Sequence, residues 1–149
     1  MQEITPQAHD LLERTNRQFN ECNALYHTVA QRCGLSDAAF WLLYALCTAD
    51  EPLTQNRIAA DWALPKQTLN SAVAAMVKKG LVELFPGKGA HSGKLVTLTD
   101  EGRALAARTV EPVILAEQRA IVGMEAEIQQ FYEIGQRHME RLRAKFEKL

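Results

Sequence analysis

The spacing of apolar residues changes abruptly in the middle of this chain, and that change limits its folds most. Between Thr54 and Lys79 apolar residues recur every three or four positions, as on one face of a helix. After Gly80 come two short runs of strand-type residues, Leu81-Val82-Glu83-Leu84-Phe85 and Lys94-Leu95-Val96-Thr97-Leu98. Between them lies PGKGAHSG, whose three glycines and one proline predict a hairpin with a long tip. Within the helical part, Thr54 is placed to cap a short helix through Trp62, in which Ile58, Ala59 and Trp62 share a face. Ala63-Leu64 is a tight connection. Pro65 suits the first turn of a longer helix, because its missing N–H has no intrahelical partner there. That helix runs to Lys79, with Leu69, Val73, Met76 and Val77 expected inward and Gly80 as its stop.

Helices are predicted on both sides of this segment. From Thr5 to Arg32 a stripe runs through Ala8, Leu11, Leu12, Phe19, Cys22, Leu25, Tyr26, Val29 and Cys33, and Gly34 ends it. Ser36 is the expected N-cap of DAAFWLLYALCT (Asp37 to Thr48), which is apolar nearly all round and so belongs at the centre. Thr99 or Asp100 begins another helix, and from Glu101 the chain is charged and periodic. Pro112 should interrupt it near Glu111, and Gly123-Met124 should separate two helices. The second of these carries Ile128, Phe131, Leu142 and Phe146 along one stripe. The expected fold is mainly α (α+β): a winged helix-turn-helix over 36–100, with 1–35 and 101–149 as an outer helical region.

Composition excludes several classes. With 47% hydrophobic and 23% charged residues the chain is neither disordered nor fibrous. No apolar run is long enough for a membrane span, and MQEITPQAHD lacks the pattern of a secretory signal. Three cysteines without a CxxC pair argue against a disulfide framework or zinc site, and for a reducing, cytoplasmic setting. No cofactor is expected. The four histidines show no metal-ligand spacing, and no phosphate loop, Gly-x-Ser-x-Gly or zinc-protease motif is present, so the chain is read as a non-enzyme.

The net charge of −1 conceals a local excess. Residues 64–94 hold Lys66, Lys78, Lys79, Lys88 and Lys94 against Glu83 alone. Such a patch is either a solvated face or the footprint of a polyanion. The order of elements favours the second. A rigidly held helix fits the major groove of duplex DNA, where Gln and Asn pair with adenine edges and Lys reaches guanine. The outer face of the longer helix offers Lys66, Gln67, Thr68, Asn70 and Ser71. Thr54 and Gln55 are candidates for a phosphate, and Lys88, His91 and Lys94 of the hairpin for the adjacent groove or backbone.

At this point the residues resemble the MarR family of bacterial winged-helix regulators. The likeness lies in LTQNRIAADWALPKQTLNSAVAAMVKKGLVEL, a Gly-rich wing and VTLTDEG. Leu53-Thr54, Thr68 with Ser71, Lys78-Lys79-Gly80-Leu81-Val82 and Leu98-Thr99-Asp100-Glu101-Gly102 match the family pattern. Two positions depart from it. Ala90, His91 and Ser92 stand where many members carry Asp-x-Arg in the wing, and Ser71 stands where many carry Arg. The resemblance implies a homodimer with interleaved N- and C-terminal helices, a palindromic double-stranded DNA operator, repression as the default, and release by a small, often aromatic, effector. Tyr26, His27, Trp41, Tyr44 and Trp62 are candidates for the effector pocket; ordinary core is the alternative, favoured for Trp41 and Trp62. Cys22-Asn23-Ala24-Leu25-Tyr26 also resembles the Cys-x-x-Leu-Tyr of the family's peroxide sensors, although Ser36 replaces their second tyrosine. The alternative favoured here is that Cys22 is a small buried hydrophobe. Outside DNA binding, the remaining candidate is a protein-interaction module, which would leave Lys66, Gln67 and Asn70 without a task.

Overall fold

The computed structural model describes residues 4–89 and 93–149. The chain begins with α1 (Pro6–Arg32) and α2 (Asp37–Thr48). The two-residue strand β1 (Leu53–Thr54), α3 (Gln55–Asp61) and α4 (Lys66–Lys78) follow. A hairpin of β2 (Val82–Gly87) and β3 (Gly93–Leu98) leads into α5 (Asp100–Arg108), α6 (Val110–Ala120) and α7 (Glu125–Phe146). No described helix is long and apolar enough to cross a membrane.

Two compact units result, one reaching to Glu111 and the other comprising Pro112–Leu149. The first has its core on α2, where Phe40, Leu42 and Leu43 are wholly buried. Ile58 of α3, Leu69 and Val73 of α4, Val82 and Val96 of the hairpin and Val110 complete that core. In the second unit α7 has no buried residue.

Local chemistry explains the boundaries. Thr5, Ser36, Thr54 and Thr99 each accept, through the hydroxyl, the N–H three residues on, and so open α1, α2, α3 and α5. At the end of α4 the Gly80 N–H donates to Val77 and the Leu81 N–H to Met76, both at 2.9 Å. This pattern needs the left-handed backbone that Gly80 adopts (φ 70°).

Four expectations are corrected. The sheet has three strands, in the order β1-β3-β2, because Leu53 and Thr54 pair with Val96 and Leu95. The hairpin strands run on to Gly87 and Gly93, further than the two expected runs. Pro86 is tolerated because β2 is an edge strand. The helix interruption falls at Thr109 rather than at Glu111. Thr109 leaves helical geometry (φ −121°, ψ −70°), and Pro112 lies in the first turn of α6, where its missing N–H costs nothing. Finally, Val77 is 40% exposed, and Ala72 takes its place inward. The inner face is centred on Leu69, Val73 and Met76, and Val77 is roughly a quarter-turn away from it.

Candidate nucleic-acid interface

The turn between α3 and α4 is closed by backbone bonds. The Ala63 N–H donates to Ala60 (3.4 Å) and the Leu64 N–H to Ala59 (3.0 Å). Ala63 is the one described non-glycine residue with positive φ (49°). An L-residue is strained there by about 1–2 kcal/mol. Ala63→Gly is therefore expected to stabilise the fold by about 0.5–1 kcal/mol, the relief outweighing glycine's extra freedom in the unfolded chain. Thermal melting checks this, and a lower melting temperature would contradict it.

Helix α4 is anchored by Leu69, Val73 and Met76. Its N-cap, Pro65, supplies no side-chain cap, so the first amides, at Lys66, Gln67 and Thr68, lack intrahelical acceptors and form the positive end of the helix. Lys66, Gln67, Thr68, Asn70 and Ser71 are all exposed, as are Ala74, Ala75, Lys78 and Lys79. The two alanines leave the middle of the face low, so that a groove edge can approach closely. The Ser71 hydroxyl donates to the Gln67 carbonyl (3.0 Å), which steadies it and leaves its oxygen as an acceptor.

Other candidates fall differently. Thr54 is buried in β1 and its hydroxyl accepts the Arg57 N–H (3.1 Å), so its main task is to cap α3; Gln55 beside it is half-buried. Lys88 and Lys94 are exposed on the wing, Lys94 opposite Pro86 in the ladder. His91 lies outside the described residues. Arg57 was missed by the sequence reading. It is exposed on α3, where the Asp61 carboxylate accepts from its Nε, offsets its charge and raises its pKa further. The spacing of four between Arg57 and Asp61 was the available signal.

The effector candidates are brought together, but as packed rings. Trp41 stacks on Trp62 (centroids 5.5 Å, 30°) and lies 4.8 Å from Tyr26 and 5.3 Å from Tyr44. Tyr44 meets Trp62 at 5.1 Å, and Phe40, not anticipated, joins Trp41 at 5.3 Å. His27 stands apart from them. Its Nδ1 lies 2.9 and 3.0 Å from the two Asp37 carboxylate oxygens. It lines an open groove of about 920 Å³ with Asp37, Gln67, Thr68 and Ser71. This groove lies beside α4, and a smaller one of about 310 Å³ touches Trp62.

Cys22 is exposed, which corrects its expected burial; its position on α1 points away from the core of the first unit. The half-buried Cys33 thiol donates to the Thr109 carbonyl (3.8 Å). Burial, with a smaller effect of Glu111, pushes the Cys47 thiol pKa up, so Cys47 is poorly suited to thiolate chemistry.

A helix-turn-helix with a polar, exposed second helix, followed by a β-hairpin, defines a winged-helix DNA-binding fold. A model described as the MarR family matches residues 34–89. A MarR family regulator from Neisseria meningitidis is 25% identical over 92% of this chain and 99% of its own, with a TM-score of 0.66. A MarR/EmrR family transcriptional regulator from Acinetobacter sp. ADP1 is 19% identical, covers 98% of this chain and 100% of its own, and has a TM-score of 0.68. Staphylococcus aureus MarR, solved with salicylate and kanamycin, is 15% identical over 91% of this chain and 92% of its own, at a TM-score of 0.65. Among curated proteins none matches the sequence significantly. Residues 34–89 thus match the MarR family, and along nearly its whole length the chain is similar to MarR family regulators in fold.

Proposed function

We propose that this protein is a cytoplasmic, homodimeric transcriptional repressor that reads a palindromic operator and is released by a small effector. The observation that carries the reading is the α4 surface: Gln67, Asn70 and Ser71 exposed on a helix whose other side is locked into the core, with Lys66 at its start and Lys78 at its end. Gln67 and Asn70 offer paired donors and acceptors to adenine edges, and Lys66 reaches guanine or phosphate. Lys88 and Lys94 contact the backbone beside the site without the arginine common in this family's wings. A regulator, not an enzyme, is the role this surface fits.

Dimer formation is supported by apolar side chains that a lone chain leaves in water. Leu25 of α1 is 63% exposed and Phe131 of α7 59%, with Leu11, Phe19, Ile134 and Phe146 also exposed. Faces of this size are normally covered by a partner. A second copy is the occupant, and twofold symmetry then yields an operator with two half-sites. Phe131→Asp is expected to shift sedimentation from two chains to one. A Phe131→Asp protein that still sediments as a dimer, or a wild type of one 16.7 kDa chain, contradicts this.

The effector reading rests on the groove beside α4. A ligand against His27 and Asp37 would engage Gln67, Thr68 and Ser71 and compete with DNA for them. Titration of a protein–operator complex with salicylate tests it: release is expected, reduced in His27→Ala. A complex indifferent to saturating salicylate would remove this effector class.

One observation favours a second reading. In the single chain Cys22 is exposed on α1 between Phe19 and Leu25, so thiol sensing requires that the dimer leave its Sγ open to oxidant. Under that reading Cys22→Ser abolishes peroxide-dependent release of DNA, and unchanged release in the variant excludes it.

A further inference from the structure

Among the described residues, exposed large apolar side chains of the first unit lie on or before α1 or form one separate pair, Val77 of α4 and Phe85 of β2, the latter 47% exposed. The proposed dimer covers α1. It does not explain the pair, and neither does DNA, whose surface is polyanionic. Val77 and Phe85 line one open groove of about 940 Å³, within the size range of small-molecule sites. Four successive residues of β2, Val82 to Phe85, line it, although strand side chains alternate between faces. The groove therefore follows the outer edge of β2, one of the two edge strands of the sheet. Its base is the turn from Leu98 into α5.

The charges in this groove have one dominant sign. Glu83, Asp100 and Glu101 line it, with Arg103 as the cation. Arg103 is already committed, donating to the Leu98 carbonyl (2.8 Å) and to the Asp100 carboxylate. Glu83 and Glu101 have no cation partner among the described residues. A lining that is half apolar and half polar, with two carboxylates lacking a cation partner, complements a cation with an apolar body, and repels phosphate or phenolate. An added peptide strand fits less well, because Pro86 has no N–H to offer and cuts the usable edge short.

We propose that this groove binds a small amphipathic organic cation, its positive centre toward Glu83 and Glu101 and its apolar body against Val77, Leu84 and Phe85. The site is separate from the DNA-reading face, so it stands or falls independently of the operator. It joins the C-terminal end of α4 to the wing, so an occupant bears on how the wing is held.

Calorimetric titration of the full chain with tetraphenylphosphonium tests the proposal, with tetraphenylborate as the ion of the same shape and opposite charge. Saturable binding of one phosphonium per chain is expected, with no matching site for the borate. In Glu83→Gln with Glu101→Gln, two exposed positions that leave the core untouched, affinity should fall by about tenfold as two partly screened ion pairs are lost. Phe85→Ser should weaken binding as well. Absence of saturable phosphonium binding, equal affinity for both ions, or an affinity unchanged in the double carboxamide variant would each overturn the proposal.

Discussion

Gly102→Ala is expected to destabilise the protein by about 2–4 kcal/mol, although alanine is ordinarily the better helix former by about 1 kcal/mol. A Cβ on Gly102 would stand 1.9 Å from the Leu81 carbonyl oxygen and 3.3 Å from Leu98 Cδ2. The first obstacle is backbone, which cannot rotate away. That backbone is also the joint of the site. The Thr99 N–H donates to Leu81 (3.1 Å), its hydroxyl donates to the Gly80 carbonyl (2.6 Å), and the same hydroxyl oxygen accepts the Gly102 N–H (3.0 Å). These bonds tie the end of α4, the base of the wing and the start of α5 together, so a displaced α5 disturbs both elements proposed to meet DNA. For a chain of this size the loss corresponds to roughly 5–15 °C in melting temperature. A variant melting within a degree or two of the wild type would contradict the packing described.

Gln67→Ala combined with Asn70→Ala is expected to weaken operator binding by roughly a hundredfold or more, each side chain being worth about 1–3 kcal/mol if it reads a base edge. Both residues are exposed and neither supports the core, so the melting temperature should not move. Lys66→Ala serves as the contrast. If Lys66 meets phosphate, its loss weakens all duplexes alike and reduces the slope of affinity against salt by about one ion. Fluorescence anisotropy across a salt series separates the two. Equal affinity of the double variant and the wild type would mean that α4 is not the reading helix.

How much of this was legible in the residues depended on the range of the interaction. Ser36, Thr54 and Thr99 announced helix starts because a cap bond spans only three residues, and Gly34 and Gly80 announced ends for the same reason. Strand β1 was not legible. Two residues have no periodicity, and Leu53 becomes a strand only by pairing with Val96, far along the chain. Val77 was misplaced because it sits at the margin of the apolar arc, where one neighbour decides burial. In the site, the exposed row from Lys66 to Ser71 was readable from helical spacing alone. The aromatic candidates were legible in part: core packing was the favoured reading of Trp41 and Trp62, which stack on each other, but side chains suited to a ligand pocket are equally suited to pack together, and Tyr26 and Tyr44 join them. The Asp37 partner of His27 could not be anticipated, since it depends on how α1 meets the start of α2.

Selection of bound duplexes from a random pool tests the central claim most directly. The account predicts a twofold-symmetric consensus with half-sites about one helical turn, roughly 10–10.5 base pairs, apart, and loss of that consensus in the Gln67→Ala, Asn70→Ala protein. No enrichment by the wild type, or the same consensus recovered with the variant, would contradict it.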